Sequence, residues 1–170
     1  MNILVTGCNG QLGNEFQKIA RFDIEHNWLF TDVDTLDICD EDSVDHFFKA
    51  NKIEVCINCA AYTAVDKAED EEEKAREINS FAIKKIAKVC KSNNSLLIHI
   101  STDYVFDGTS IRPYMENDTV SPNSVYGKTK AEGEQNIISS GCSYIIVRTS
   151  WLYSSFGNNF VKTMLRLGSE

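Results

Sequence analysis

With 170 residues, 42% of them hydrophobic and 25% charged, the chain has the composition of an ordinary globular domain with room for one core. Its 17 basic residues against 25 acidic ones give a net charge of −8, which argues against nucleic acid or an anionic membrane surface as partner. No apolar run reaches the ~20 residues of a membrane span, and the opening Met1-Asn2-Ile3-Leu4-Val5 reads as a strand without a basic leader, so a cytoplasmic location is expected.

Strand and helix alternate from the first residue. Residues 2–6 form a short apolar strand ending in a glycine turn, and residues 11–21 follow as a helix with Leu12, Phe16, Ile19 and Ala20 on one face. A second strand, 28–31, is closed by Asp32. Asp40-Glu41-Asp42-Ser43 opens a helix whose first-turn carboxylates suit the helix dipole, and Val44, Phe47 and Phe48 give it an apolar side. Residues 53–59 are a third strand. The spacing of Ala75, Ile78, Ala82, Ile86, Ala87 and Val89 predicts one long helix over 71–90, entered through the solvated acidic run 69–73. A fourth strand spans 96–100, a helix 124–139, a fifth strand 144–148 and a helix 158–167. Strands apolar along their whole length suggest burial on both faces. The expected fold is therefore α/β, a Rossmann-like doubly wound parallel sheet with helices on both faces and ligand sites at the carboxyl ends of its strands. Cys56 and Cys59 have CxxC spacing, but inside an apolar strand residues three apart face opposite sides, so they are read as structural.

Thr6-Gly7-Cys8-Asn9-Gly10-Gln11-Leu12-Gly13 is a GxxGxxG turn between the first strand and the first helix. A glycine triplet is weak by itself; it gains weight from the strand before, the helix after and the acid closing the second strand. Gly7 serves the tight turn, Gly10 the approach of backbone to a pyrophosphate, and Gly13 close helix–strand contact, while the N–H groups of Asn9, Gln11 and Leu12 surround the helix N-terminus that would hold the phosphates. Asp32 stands where a carboxylate would bond the adenosine ribose. No Lys or Arg lies between Asp32 and Lys49 to receive a 2′-phosphate, so NADH is weakly favoured over NADPH. Asp37 and Ile38 would flank the adenine or form an ordinary surface turn. Ala60, Ala61, Tyr62 and Thr63 end the third strand with mostly small residues, which would let a dinucleotide cross the sheet edge or simply make a close-packed turn.

Tyr126-Gly127-Lys128-Thr129-Lys130 supplies YxxxK on a helix, with both side chains on one face. A free phenol titrates near 10, and a lysine ammonium one turn away is expected to draw it toward the phenolate and useful proton transfer. Ser101-Thr102-Asp103 closes the fourth strand upstream of that pair. The Thr102 hydroxyl there could share the developing charge of a ketone oxygen, or could cap local backbone.

Together, TGxxGxxG, the Asn58-Cys59-Ala60-Ala61 segment, the strand-end Thr102 and YxxxK resemble the extended short-chain dehydrogenase/reductases. The strings from Ala60 to Glu69, from Ser101 to Gly108 and from Arg148 to Tyr153 narrow that resemblance to the dTDP-4-dehydrorhamnose reductase family. The resemblance implies reduction of the 4-keto group of the sugar nucleotide dTDP-4-dehydro-L-rhamnose by NADH or NADPH. Tyr126 would be proton donor, Lys130 would hold the nicotinamide ribose and tune the tyrosine, and Thr102 would stand for the usual serine. Asp103 and Trp151 would touch the sugar nucleotide. Some family members bind magnesium at a dimer interface through an acid at the position of Glu15. The other ligands would lie outside this chain, so no metal is expected here, and a homodimer is open only to the full-length form. The resemblance also implies a smaller C-terminal substrate lobe, leaving residues 1–170 as the NAD(P)-binding domain. Two alternatives share the scaffold: a non-catalytic regulator like the regulatory subunit of methionine adenosyltransferase, and an epimerase or dehydratase of another sugar nucleotide.

Overall fold

In the computed structural model, which describes residues 1–169, five strands form one all-parallel sheet. They are β1 (Asn2–Thr6), β2 (Asn27–Thr31), β3 (Val55–Asn58), β4 (Leu96–Thr102) and β5 (Ser143–Thr149), in the order β2-β1-β3-β4-β5. This is the doubly wound α/β arrangement expected. The order reverses between β1 and β3, so a crevice opens at their carboxyl ends.

Alternation along the strands divides the core. Leu4, Cys56 and Leu97 point to one face, where they meet Val44 and Phe48 of α2 (Glu41–Asn51), Ile83 and Ile86 of α5 (Ala82–Asn93), and Ile137 of α6 (Val125–Ser140). Ile3, Val5 and Ile57 point to the other, against Phe16 of α1 (Gln11–Ala20) and Trp28. Local chemistry sets the helix ends. Asp40 caps α2 by accepting from the N–H groups of Asp42 and Ser43, and Ser124 caps α6 by accepting from the N–H of Gly127 at 3.1 Å.

Three expectations change. The helix expected over 71–90 is present but not uniform: after a separate short turn, α3 (Val65–Ala68), α4 (Glu72–Arg76) passes through a π-helical segment, Glu77–Phe81, and continues unbroken into α5. Within that wider turn Asn79 is fully buried, and its side chain bonds the N–H and C=O of Tyr62 (2.9 and 3.0 Å) and the Thr129 hydroxyl. Ile19 is 56% exposed; the inner stripe of α1 runs through Gly13, Phe16 and Gln17, whose amide reaches Cys8 O at 2.8 Å. Burial on both faces fails at β5, where Ile145 and Val147 are exposed. It is an edge strand, and the helix after it, α7 (Phe160–Leu167), buries none of its side chains.

One stripe of α6 is buried from end to end: Tyr126, Lys130, Glu134 and Ile137. Glu134 is 1% exposed and accepts from Ser101 Oγ (2.5 Å) and from Nε and Nη2 of Arg148 (3.0 and 2.6 Å). A carboxylate this deep is tolerated because charge-assisted bonds replace its water. Arg148→Met should therefore strand the charge and cost roughly 3 kcal/mol in urea unfolding. Arg148→Met with Glu134→Gln should recover part of that loss, and a single variant within about 0.5 kcal/mol of the parent would contradict the assignment.

Candidate active site

The carboxyl ends of β1, β3 and β4 open onto one cleft of about 1170 Å³, larger than the roughly 300–1,000 Å³ typical for a single small ligand. Its floor is the glycine turn. Gly7 has φ +65°, and a Cβ there would sit 2.6 Å from Ala60 N; a Cβ on Gly13 would sit 2.4 Å from Gly7 O. Only glycine lets turn, α1 and the end of β3 approach this closely. Gly13 thus makes room for the turn itself, where the sequence reading assigned it to helix–strand contact. Gly10 is the N-cap of α1, and no side chain caps that helix or places an acid in its first turn. The first N–H groups beside Gln11 and Leu12, with the positive end of the helix dipole, are thus left for an anion in the cleft.

Asn9 does not line the cleft; its N–H donates to Asp32 Oδ2 at 2.9 Å and ties the carboxylate to the turn. Asp32, Asp37 and Ile38 form one wall with Val33 and Leu36. Ala60, Ala61 and Thr63 line the floor. Tyr62 does not: its hydroxyl bonds Glu71 at 3.2 Å and its ring packs with Ala68, Ala75 and Tyr126. Asn79 fixes the Tyr62 backbone from both sides, and this turns the ring toward α4.

At the other end Thr102, Asp103, Tyr126 and Lys130 converge. Thr102 Oγ1 accepts from the N–H of Tyr104 and so caps a single 3-10 turn, Asp103–Val105, while its hydroxyl also bonds Asp103 Oδ1 (3.2 Å). Burial raises the Tyr126 phenol above its ordinary value; the Thr102 hydrogen bond opposes this, and Asp103 and Tyr104 add to it. The expected downward pull of Lys130 on the phenol is not what governs it. The ammonium position is taken up by Ile100 O at 2.7 Å and the His99 ring at 3.2 Å, and burial lowers Lys130 to about 8. Trp151, 72% exposed at the mouth, has φ +53° and meets Phe160 edge-on at 4.9 Å. A left-handed conformation at a bulky residue stores strain, and such residues gather at functional sites.

Several lining residues carry no motif. Gly157, Asn159 and Phe160 also line the cleft, with Gly157 against the Gln11 side chain and Asn159 Nδ2 donating to Gln11 Oε1 at 2.9 Å; Asn159 as N-cap of the last helix was the available signal. Gly127 sits against Tyr104 O, 2.3 Å from where its Cβ would be, which holds α6 onto the turn after β4. The CxxC cysteines are free, and burial pushes the Cys59 thiol up to about 12. Glu15 pairs with Lys18 at 3.2 Å, and among the described residues no three His, Cys, Asp or Glu side chains are grouped as a metal site. No helix among them is long and apolar enough to cross a membrane.

Comparison with known proteins gives a match to the family described as RmlD substrate binding domain over residues 1–170. The chain is 44% identical over 168 residues to dTDP-4-dehydrorhamnose reductase of Aggregatibacter actinomycetemcomitans, covering 99% of this chain and 57% of that protein. A crystal structure of a dTDP-4-dehydrorhamnose reductase from Clostridium acetobutylicum is 48% identical, with a TM-score of 0.95 over 99% of this chain and 60% of the other. Another, from Bacillus anthracis in complex with NADP, is 39% identical with a TM-score of 0.94, covering 99% of this chain and 59% of that one. The chain thus spans less than two thirds of the length of these relatives.

Asn79 is the least conspicuous support of the cleft. Asn79→Ala should leave the Tyr62 N–H and C=O short of a partner, the Thr129 hydroxyl keeping its bond to Tyr126 O, and cost about 2 kcal/mol on denaturant unfolding; an unchanged midpoint would show that the Ala60–Thr63 edge holds itself.

Proposed function

The chain belongs to the RmlD substrate binding domain family, and from that membership we propose that it carries the cofactor and proton-transfer half of a reductase acting on dTDP-4-dehydro-L-rhamnose. The observation that carries the proposal is a single cleft with an anion-ready helix terminus at one end and the Thr102–Tyr126–Lys130 group at the other. A nicotinamide dinucleotide fits that distribution of donors, and when bound it supplies the hydride. Relatives named for this reaction, and one solved with NADP, support the class of cofactor and substrate.

The residues divide the work. The N–H groups at Gln11 and Leu12 hold the pyrophosphate while Gly10, its own N–H closed onto Gly7 O at 3.1 Å, leaves room for it; Asp32 holds the adenosine ribose, and Ala60, Ala61 and Thr63 leave room for the chain of the dinucleotide along the sheet edge. Asp37 and Ile38 flank the adenine. Lys130 donates to the nicotinamide ribose. Thr102 donates a hydrogen bond to the 4-keto oxygen, and Tyr126 gives that oxygen its proton as the carbon is reduced, leaving a hydroxyl. A phenol held above its ordinary value is protonated at neutral pH, the state a donor needs. Asp103 and Trp151, at the cleft's open side, contact the sugar nucleotide. Lys130 is the one lysine or arginine among the described residues lining the cleft. It lies beside Tyr126, far along the site from Asp32, so the Asp32 end favours NADH.

The test is NADH oxidation with dTDP-4-dehydro-L-rhamnose, measured on this chain and on a form extended to the length of its relatives. An extended protein that binds NADH but never oxidises it with this sugar would remove the proposal. Tyr126→Phe should lower turnover by about 10²–10⁴-fold with NADH binding intact. Competition between the two cofactors should give tighter binding of NADH, with the margin shrinking in Asp32→Ala; tighter NADPH binding in the parent would reverse the assignment.

A further inference from the structure

Lys130 is held from behind by a chain of buried polar groups that reaches across three strands. Register places Thr6 beside Asn58 and Asn58 beside His99, so their side chains share one face of the sheet. They are 2%, 1% and 0% exposed. Thr6 Oγ1 donates to Asn58 Oδ1 at 2.6 Å, Asn58 Nδ2 lies 3.2 Å from Ala60 O and 3.0 Å from His99 Nδ1, and His99 Nε2 lies 3.2 Å from Lys130 Nζ.

Only one proton assignment satisfies the first half of this chain. A backbone carbonyl accepts and never donates, so Ala60 O fixes the orientation of the Asn58 amide, and the second N–H of that amide then points at His99 Nδ1. Nδ1 must offer a lone pair. A neutral ring whose Nδ1 is an acceptor carries its proton on Nε2, and the ring is neutral because full burial and the neighbouring Lys130 hold its basicity well below the usual histidine range. The Nε2–H therefore faces Nζ. An amine can accept that bond while donating to Ile100 O; an ammonium meets it donor against donor.

We propose that His99 is a positioning residue for Lys130: clamped in its Nε2–H form by Asn58, its ring disfavours the ammonium and so keeps the neighbouring phenol protonated, biasing the site toward proton donation. The assignment rests on the reading of Lys130 and Tyr126 given above. Of the other ionisable groups facing Nζ, Glu134 one turn along α6 and Cys59 beyond β3 both act to retain the proton, and burial outweighs them.

Asn58 does not touch Lys130, which makes it the place to test the chain. Nitrogen-15 spectra of the histidines in the unaltered protein should show His99 protonated on Nε2 from pH 6 to pH 9, and the carbon-13 signal of Lys130, assigned with Lys130→Met, should titrate near 8. Asn58→Ala frees the ring to turn a lone pair toward Nζ. The Lys130 midpoint should then rise by about one pH unit or more, tenfold in proton affinity, with His99 protonated on Nδ1. In His99→Met the same Asn58→Ala change should leave the midpoint where His99→Met alone puts it. An Nδ1-protonated His99 in the unaltered protein, or a Lys130 midpoint indifferent to Asn58→Ala in a folded variant, would overturn the proposal. The first measurement needs no variant to fold. None of these readouts uses turnover, so a chain that passes them yet never oxidises NADH refutes the reaction and leaves the His99 assignment standing.

Discussion

The structure depends on a row of polar side chains buried at the carboxyl ends of an in-register parallel sheet. Thr31, Thr6, Asn58 and His99 stand side by side on β2, β1, β3 and β4, all on the face covered by α2, α5 and α6. Two residues earlier in three of these strands the same face carries Leu4, Cys56 and Leu97. The switch from apolar to polar marks the level at which the core stops and the cleft begins. Buried polar groups are tolerated only when paired. Here the pairing runs along the row, and Thr31 Oγ1 is the one buried side-chain atom among the described residues without a partner.

Much of the cleft follows from that row. The glycine turn leaves β1 immediately after Thr6, and Ala60, whose carbonyl accepts from Asn58, sets its N and Cα against the Gly7 backbone. Thr102 ends β4 three residues past His99. Lys130 reaches the row from α6, so the stripe that carries Tyr126 is docked at its buried end as well as by Glu134 to Ser101 and Arg148. Holding a helix by two buried ionisable residues demands a single registry, because a slip of one turn would leave each without its partners. The site is in this sense a by-product of satisfying the interior.

What the sequence made legible was what depends on spacing alone. Strand and helix alternation, the GxxGxxG turn, the shared face of Tyr126 and Lys130, and the strand-end Thr102 all appear where the periodicities put them. What it hid depends on contacts between distant segments. The π-helical segment is invisible to a 3.6-residue count, although the polar Asn79 and Ser80 on an inward face were its trace. Tyr62 sits in a string of cleft residues yet turns away, because Asn79 holds its backbone. The phenol was expected to be drawn down by its lysine, a reading that ignored where the lysine's own donors go. His99, one histidine in the apolar run Leu96-Leu97-Ile98-His99-Ile100, reads as a core residue until the register with Asn58 is known.

The two sides of the cleft differ in how firmly they are built. The glycine turn and the end of β3 touch backbone to backbone, and a single Cβ would separate them. The opposite rim, beyond β5, rests on polar links: Asn159 to Gln11, Lys18 to Ser155, and Lys162 to the carbonyls of Ser155 and Gly157. A segment with exposed hydrogen bonds and little buried apolar surface opens at lower free energy than the core it sits on. Gln11 belongs to both sides, at the uncapped N-terminus of α1 and under Gly157 and Asn159. An anion drawn to that terminus therefore meets the residue that anchors the looser rim. The uncapped helix end and the polar links of the rim thus meet in the same first turn of one helix.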